Sequence, residues 1–340
     1  MRRVHALLPA ALLAGCVTTP TGLPPVVVYA AGETVPVGTV NDDAADDPAI
    51  WRNPADPSQS LIVATDKKAG LYVYGLDGAV RSFSALGQVN NVDLVELPDG
   101  RVLVAASDRN DPMTAHIVTA LLDTASGELT VLSRHSVGNG EGYGFCMAFD
   151  AATGMIRYFS AVKEGAVYLT SQPLEAGLDS DTTTTLFHTL PSQPEGCVHD
   201  PRTDRLYVGE EAGGIWVLDF ETDTRELLAP IDNQYLVADV EGLALAPEGE
   251  NGGYLIASSQ GDNAYAVYRL SDMAPLGRFA IAQGEYGSAE ETDGIALVVG
   301  DFGPDYPGGL FVAQDGLNAP NPQNFKLVAW EAIREALVLD

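Results

Sequence analysis

Seven acidic residues and one tyrosine stand where short apolar runs begin: Asp46 and Asp47, Asp93, Tyr143, Glu195, Asp239 and Glu241, and Asp293. A second apolar run follows each of the first five entry points and ends in Lys67 and Lys68, Arg109, Lys163, Glu211 or Gln260. Taken singly, each acid reads equally well as a turn residue or a solvated strand end. Recurring in phase, they read as one site. Carboxylates gathered at one place cannot all stay ionised without counter-charge. Calcium supplies it well, because it accepts about six to eight oxygen ligands in tolerant geometry. No histidine or cysteine belongs to the set, which argues against zinc. Lys67, Lys68, Arg109 and Lys163 beside such cations would form an anion site suited to phosphate esters. Cations and bases together suggest hydrolysis by a metal-activated water.

These residues must be positioned by a repeated unit. One pattern recurs roughly every 50 residues: a polar entry, an apolar strand, a turn, a second apolar strand and a polar exit. Further strand-like runs such as 71–74 and 215–218 follow within each unit, and no amphipathic helical pattern of useful length precedes Trp330. Four short strands per repeat at this period make the blade of a propeller. The expected fold is all-β, a six-bladed β-propeller with four-stranded antiparallel blades around a central channel. A β-helix would have shorter repeats, and two sandwiches would lack the sixfold period. In a propeller the entry residues of all the inner strands converge on the axis, so one mouth should carry the carboxylate ring and the bases.

Length alone does not fix the domain count, since large all-β folds commonly form one domain. The 47 acidic residues against 18 basic give a net charge of −29, which repels nucleic acid and anionic lipid. The N-terminus carries Arg2 and Arg3, then an apolar run at 6–13 too short to span a bilayer, as in an export signal. Its end, Leu13-Ala14-Gly15-Cys16, resembles a bacterial lipobox. The expected organisation is a signal peptide at 1–15, a tether at 16–30 following lipidated Cys16, and one propeller at 31–340. Localisation would be a lipid anchor on the outer membrane, facing the periplasm or the exterior. In that oxidising setting Cys146 and Cys197 either pair across neighbouring blades or remain buried thiols. Opposite strand parity favours the first, and the outward divergence of blades favours the second.

At these residues the chain resembles the β-propeller phytases, the calcium-dependent alkaline phytase family. The resemblance is carried by Asp43 to Trp51, by Lys67-Lys68-Ala69-Gly70-Leu71, Asn90-Asn91-Val92-Asp93 and Tyr143-Gly144-Phe145, and by Lys163-Glu164-Gly165. It continues through Asp239 to Leu243, Tyr254 to Gly261, Thr292 to Ile295, Phe311 to Gly316 and Asn324-Phe325-Lys326. The resemblance implies that Asp47, Tyr143, Glu195, Glu211, Asp239, Glu241 and Gln260 hold several calcium ions, joined by Asp46 and Asp293 of the ring. It implies that Lys67, Lys68, Arg109 and Lys163 grip the substrate's phosphates, with Lys67, Arg109, Tyr143, Lys163 and Glu195 as the catalytic group. The implied reaction is attack of a calcium-bound water on phytate or its calcium complex, releasing inorganic phosphate, in a monomer. The family pattern is broken at Leu317, where a glutamate is usual, and in the loop 284–291, which lacks an aspartate. A calcium site in the last blade is therefore expected to be altered. The alternatives are a propeller lactonase or esterase, which needs one central metal and has no use for four bases, and a non-catalytic calcium-binding surface module.

Overall fold

The structure is a computed structural model that describes residues 20–40 and 43–339. The expected signal peptide and Cys16 lie outside the described residues. Six sheets, each with a four-stranded antiparallel core, surround a central channel, as the repeat requires. Their innermost strands are Ala45–Trp51, Val89–Glu96, Gly142–Asp150, Pro194–Asp200, Val240–Glu248 and Ile295–Val299. Blades one to six are numbered in that order.

Alternation along each strand makes the core. In the second strand of blade one, Leu61 and Val63 pack with Val92, Val102 and Val104 of blade two. Ile62 and Ala64 face the other way, onto Leu310, Val312 and Phe325 of blade six. Among the described residues every junction between neighbouring blades holds such a cluster, so each sheet is apolar on both faces. The helix Trp330–Leu337 adds Trp330 and Ile333 to the junction of blades five and six.

The chain closes the ring by returning its beginning to its end. Gly32–Glu33 forms the outer strand of blade six, paired antiparallel with Asn324–Ala329. Glu33 Oε2 accepts from the fully buried Lys326 ammonium at 2.6 Å, and Asp315 Oδ2 lies 3.1 Å from the same nitrogen. Asn324 and Asn318 offer it their amide oxygens at 2.9 and 3.3 Å. Val26–Tyr29 pairs parallel with Pro275–Ala282 as a fifth strand of blade five, so the sequence expectation of a tether reaching residue 30 needs correction. Arg278 also fixes Leu23 by donating to its carbonyl. A short continuous run of β-branched and aromatic residues made this strand, and the prolines before it disguised it.

The inner strands share an irregularity that shapes the site. Ala45 pairs with Asp66 but Pro48 with Ala64, so the inner strand carries one extra residue there. The same bulge occurs between Val89 and Val92, Gly142 and Phe145, Pro194 and Cys197, and Val240 and Leu243. A bulge of this kind re-aims a side chain. Its first residue is in turn Asp46, Asn90, Tyr143, Glu195 and Glu241, and Asp293 takes the matching place ahead of the sixth inner strand. The second residue is glycine in blades three to six because the next blade arrives there. A Cβ on Gly144 would sit 1.9 Å from the Glu195 carbonyl oxygen, and one on Gly196 2.3 Å from that of Glu241.

Cys146 and Cys197 form a disulfide between blades three and four, with Cα atoms 5.7 Å apart. The two inner strands have not yet diverged at that radius, which decides between the two sequence readings. Denatured, unreduced protein should therefore show no reactive thiol from this pair. Replacing both cysteines by serine should lower stability by about 2–5 kcal/mol, read from denaturant unfolding. Two titratable thiols at positions 146 and 197 would refute the bridge.

Candidate active site

The bulges bring the ring together at one mouth, and the strand exits return to it in register. The amide of each exit residue bonds the carbonyl two residues before its bulge: Lys67 to Ala44, Arg109 to Gln88, Lys163 to Glu141, Glu211 to Gln193 and Gln260 to Asp239. All five backbone contacts fall between 2.7 and 3.1 Å. One repeated element thus alternates ring residues with exit residues around the mouth.

Carboxyl oxygens of Glu195, Glu211 and Glu241 all lie within 4.8 Å of one another. Burial raises the pKa of Glu195 and Glu241, and each is raised further by a neighbouring carboxylate, Asp46 for the first and Glu195 for the second. Burial, with the charges of Glu195 and Asp239, pushes Glu211 up to about 7. Asp239 is raised by burial alone. Beside this cluster the Lys67 ammonium sits 2.8 Å from Asp43 Oδ2, 2.8 Å from Asp293 Oδ2 and 3.3 Å from Asp46 Oδ1. Desolvation works against that charge, but Asp46, Asp293 and Asp43 outweigh it and hold the lysine pKa well above its ordinary value. Asp293 is raised by burial despite Lys67, and its other oxygen accepts from Gln260 Nε2 at 2.6 Å.

Two further bases stand at the matching exits of blades two and three. Tyr143 carries the Arg109 guanidinium 5.2 Å and the Lys163 ammonium 4.9 Å from its ring centroid, a cation–π arrangement. Burial raises the phenol pKa, with Glu195, Asp46 and Glu241 adding to the effect, so Tyr143 meets the carboxylates with a neutral hydroxyl. Lys68 is exposed at the rim beside Lys67. A cleft of about 1270 Å³ opens next to Asp293, lined by Gln260, Asp43, Glu291 and the stretch from Gly316 to Gln323.

Two placements differ from the sequence expectation. Asp93 is not the ring residue of blade two. That place belongs to Asn90, because the bulge lies three residues earlier. Asp93 instead reaches blade three, accepting from the Met147 amide at 2.8 Å, and burial pushes its pKa up to about 6. Asp47 occupies the second bulge position and accepts from the Val92 amide at 3.0 Å, so one of its oxygens serves the contact between blades. The altered last blade has its own solution. Gly316 stands where the other blades place a charged or amide exit residue, exposed Leu317 lines the cleft, and the Lys326 ammonium gathers the nearby oxygens.

Two buried oxygens in this array lack any hydrogen-bond partner, Asp46 Oδ2 and Glu241 Oε2. Buried polar atoms are rarely left so, and the gap calls for a cation. The donor set, carboxylates with amide and phenol oxygens, fits a hard divalent ion.

A six-bladed propeller with such a mouth defines the class: propellers that gather carboxylates and bases at one end of the central channel. The family model for phytase matches residues 6–340. The 3-phytase of Bacillus subtilis (strain 168) is 36% identical over 329 residues, covering 91% of this chain and 85% of that protein. The chain therefore belongs to the phytase family and is an enzyme of that kind. Solved structures at low identity share the fold alone. A chain of the mitotic checkpoint complex aligns over 97% of this chain and 86% of its own at 12% identity and a TM-score of 0.51. The PQQ-bound aldose sugar dehydrogenase of Streptomyces coelicolor aligns over 88% and 97% at 13% identity and a TM-score of 0.51.

The raised carboxyl groups set a sign for the stability of the metal-free protein. A carboxyl whose pKa is higher folded than unfolded takes up protons on folding, so stability falls as pH rises through that window. For Glu211 the window runs from the usual range near 4.5 up to about 7. In chelator, the melting temperature should drop between those pH values, and the Glu211→Gln variant should drop less. Equal pH dependence in both proteins would exclude this source.

Proposed function

We propose that this phytase is calcium-dependent and releases inorganic phosphate from phytate through a water held at the mouth of the channel. The observation that carries the reading is the cluster of Glu195, Glu211 and Glu241, with oxygens within 4.8 Å of one another, facing a group of four side-chain bases. Glu195, Glu211 and Glu241, with Asp46, Asp47, Asp239, Asp293, Gln260 and Tyr143, are the residues that would hold the ions. Bound calcium would supply positive charge and a water acidified enough to attack phosphorus.

The chain's own groups do the rest. Arg109 and Lys163, spaced by the Tyr143 ring, place two cations where phosphoryl oxygens can meet both. Arg109 offers a planar fork and Lys163 a point charge. Lys67 bridges Asp43, Asp46 and Asp293 and would meet phosphate once cations neutralise those carboxylates. Lys68 at the rim meets a neighbouring phosphate of a polyanionic substrate. Asp46, Glu195 and Glu241 are buried, and a setting with little bulk water strengthens each charged contact. Four bases have no counterpart in the chemistry of a lactonase, and they favour a substrate with several phosphates. A net charge of −29 repels such a substrate unless cations accompany it, which supports calcium-phytate as the bound form.

Phosphate release from phytate should vanish in chelator and return on adding calcium, and the melting temperature should rise with calcium by mass action. Release that persists in chelator, together with an unchanged melting temperature, would end the calcium reading.

Replacing Lys67 or Arg109 by alanine should lower turnover at least about tenfold, since charge-assisted contacts of this kind are worth on the order of 1.5–3 kcal/mol. Steady-state phosphate release on folded variants measures it. Wild-type rates would remove these residues from the site.

A further inference from the structure

Asn90 is the one ring member with neither charge nor aromatic ring, and it is fully buried. Its side chain has every polar atom in use. Oδ1 accepts from Arg109 Nη1 at 2.6 Å, and Nδ2 donates to Glu195 Oε1 at 3.1 Å and to Asn91 Oδ1 at 3.0 Å. These partners allow one orientation of the amide, because turning it over would set its NH2 against the guanidinium and its oxygen against the carboxylate.

Arg109 is held from a second side. Glu141 accepts from its Nε at 2.8 Å and from its Nη2. The Glu141 carbonyl also accepts the Lys163 amide at 3.1 Å, so both bases on the Tyr143 ring are referred to one residue. Counting N–H donors, Glu141 takes one on Nε and one on Nη2, and Asn90 takes one on Nη1. One N–H remains on each terminal nitrogen, and two donors on neighbouring nitrogens can meet two oxygens of a phosphoryl group.

We propose that Asn90 is a positioning residue of the phosphate-releasing reaction: with Glu141 it fixes the Arg109 guanidinium so that one N–H of each terminal nitrogen is presented to the phosphoryl group, and it ties that guanidinium to Glu195. The proposal rests on the reading of the mouth as the phosphate site. Only an amide does both tasks. A carboxylate at position 90 would accept from Arg109 but set a further negative charge against Glu195, and an ammonium would repel Arg109. A hydroxyl is too short to span the two. The other ring members are chosen for charge, and this one for carrying a donor and an acceptor at once. Held in this way, Arg109 loses little rotamer freedom when the phosphoryl group reaches its transition state, so the effect belongs in turnover.

A double-mutant cycle tests it. Phosphate release from phytate is measured with calcium for wild type, Asn90→Ala, Arg109→Ala and the double variant, with melting temperature as the check on folding. Asn90→Ala should lower kcat at least about tenfold with KM within about threefold, since Lys68 and Lys163 still bind substrate. In the Arg109→Ala background the same change should lower kcat less than about twofold, because a residue that acts through Arg109 has nothing left to position. Multiplicative losses in the double variant, or an unchanged kcat in Asn90→Ala, overturn the proposal. Should Asn90→Ala fail to fold, Asn90→Leu keeps the volume and removes every hydrogen bond, and the same cycle is read with it. A wild type that releases no phosphate from phytate defeats the functional reading itself, which the cycle does not touch.

Discussion

The site depends on one extra residue in the inner strand of each blade. A regular strand would alternate its side chains between the two neighbouring blades and aim none at the mouth. The bulge breaks that alternation once, at the same height in blades one to five. Its first residue turns to the axis, and its second must be small where the next blade's carbonyl comes close. The inter-blade backbone contacts Gly242 N–H to Asp293 O and Gly294 N–H to Asp46 O, at 2.7 and 3.1 Å, are made by the same residues. Aiming a functional group and docking a blade are thus one structural event. A change that removes the bulge would disturb both.

That geometry creates an electrostatic problem that the fold answers only in part. Several carboxyl groups meet in a buried space, and burial raises the pKa of Glu195, Glu241 and Asp293. Lys67 offsets some of the charge. Arg109 is balanced by Glu141 and joined to Glu195 through Asn90, so Lys67 and Arg109 are each tied by hydrogen bonds to the carboxylates beside them. What stays unbalanced is the pair of unpartnered oxygens on Asp46 and Glu241. Divalent cations are the economical completion of such an array, because each neutralises several carboxylates without a side chain of its own.

Much of this was legible in the sequence, because the repeat is strong and the site is built on it. The period gave the blades, and the phase of the acidic and basic residues gave the mouth, including Asp46, Glu195, Glu241 and Lys67. Asn90 was missed as a ring member. Asp93 stands three residues beyond it and carries the charge that the other blades place at the ring, so residue type pointed to the wrong position. A bulge shifts the alternation by one residue, but in strands buried on both faces residue type does not show the shift, and only the paired strand reveals it. The outer strands Val26–Tyr29 and Gly32–Glu33 were equally hidden, since their partners lie far along the chain. The disulfide turned on the radius at which two inner strands still run close, a distance that parity alone does not contain.

The contact between Glu33 and Lys326 joins residues 293 positions apart in the chain. The outer strand of the last blade precedes all six inner strands in the chain, and it has no sheet to join until the rest of that blade is available. Blades one to five can form as local antiparallel meanders while the chain lengthens. The ring itself stays an open arc, with the faces of blades one and six exposed to solvent, until residue 329 is free to pair. Closing the ring requires the two uncovered faces and that strand to meet together. Loop-closure entropy grows only slowly with length, so this long circuit costs little more than a short one at equilibrium. Its burden falls on the rate, and on how long an unfinished arc must avoid other arcs with the same open ends.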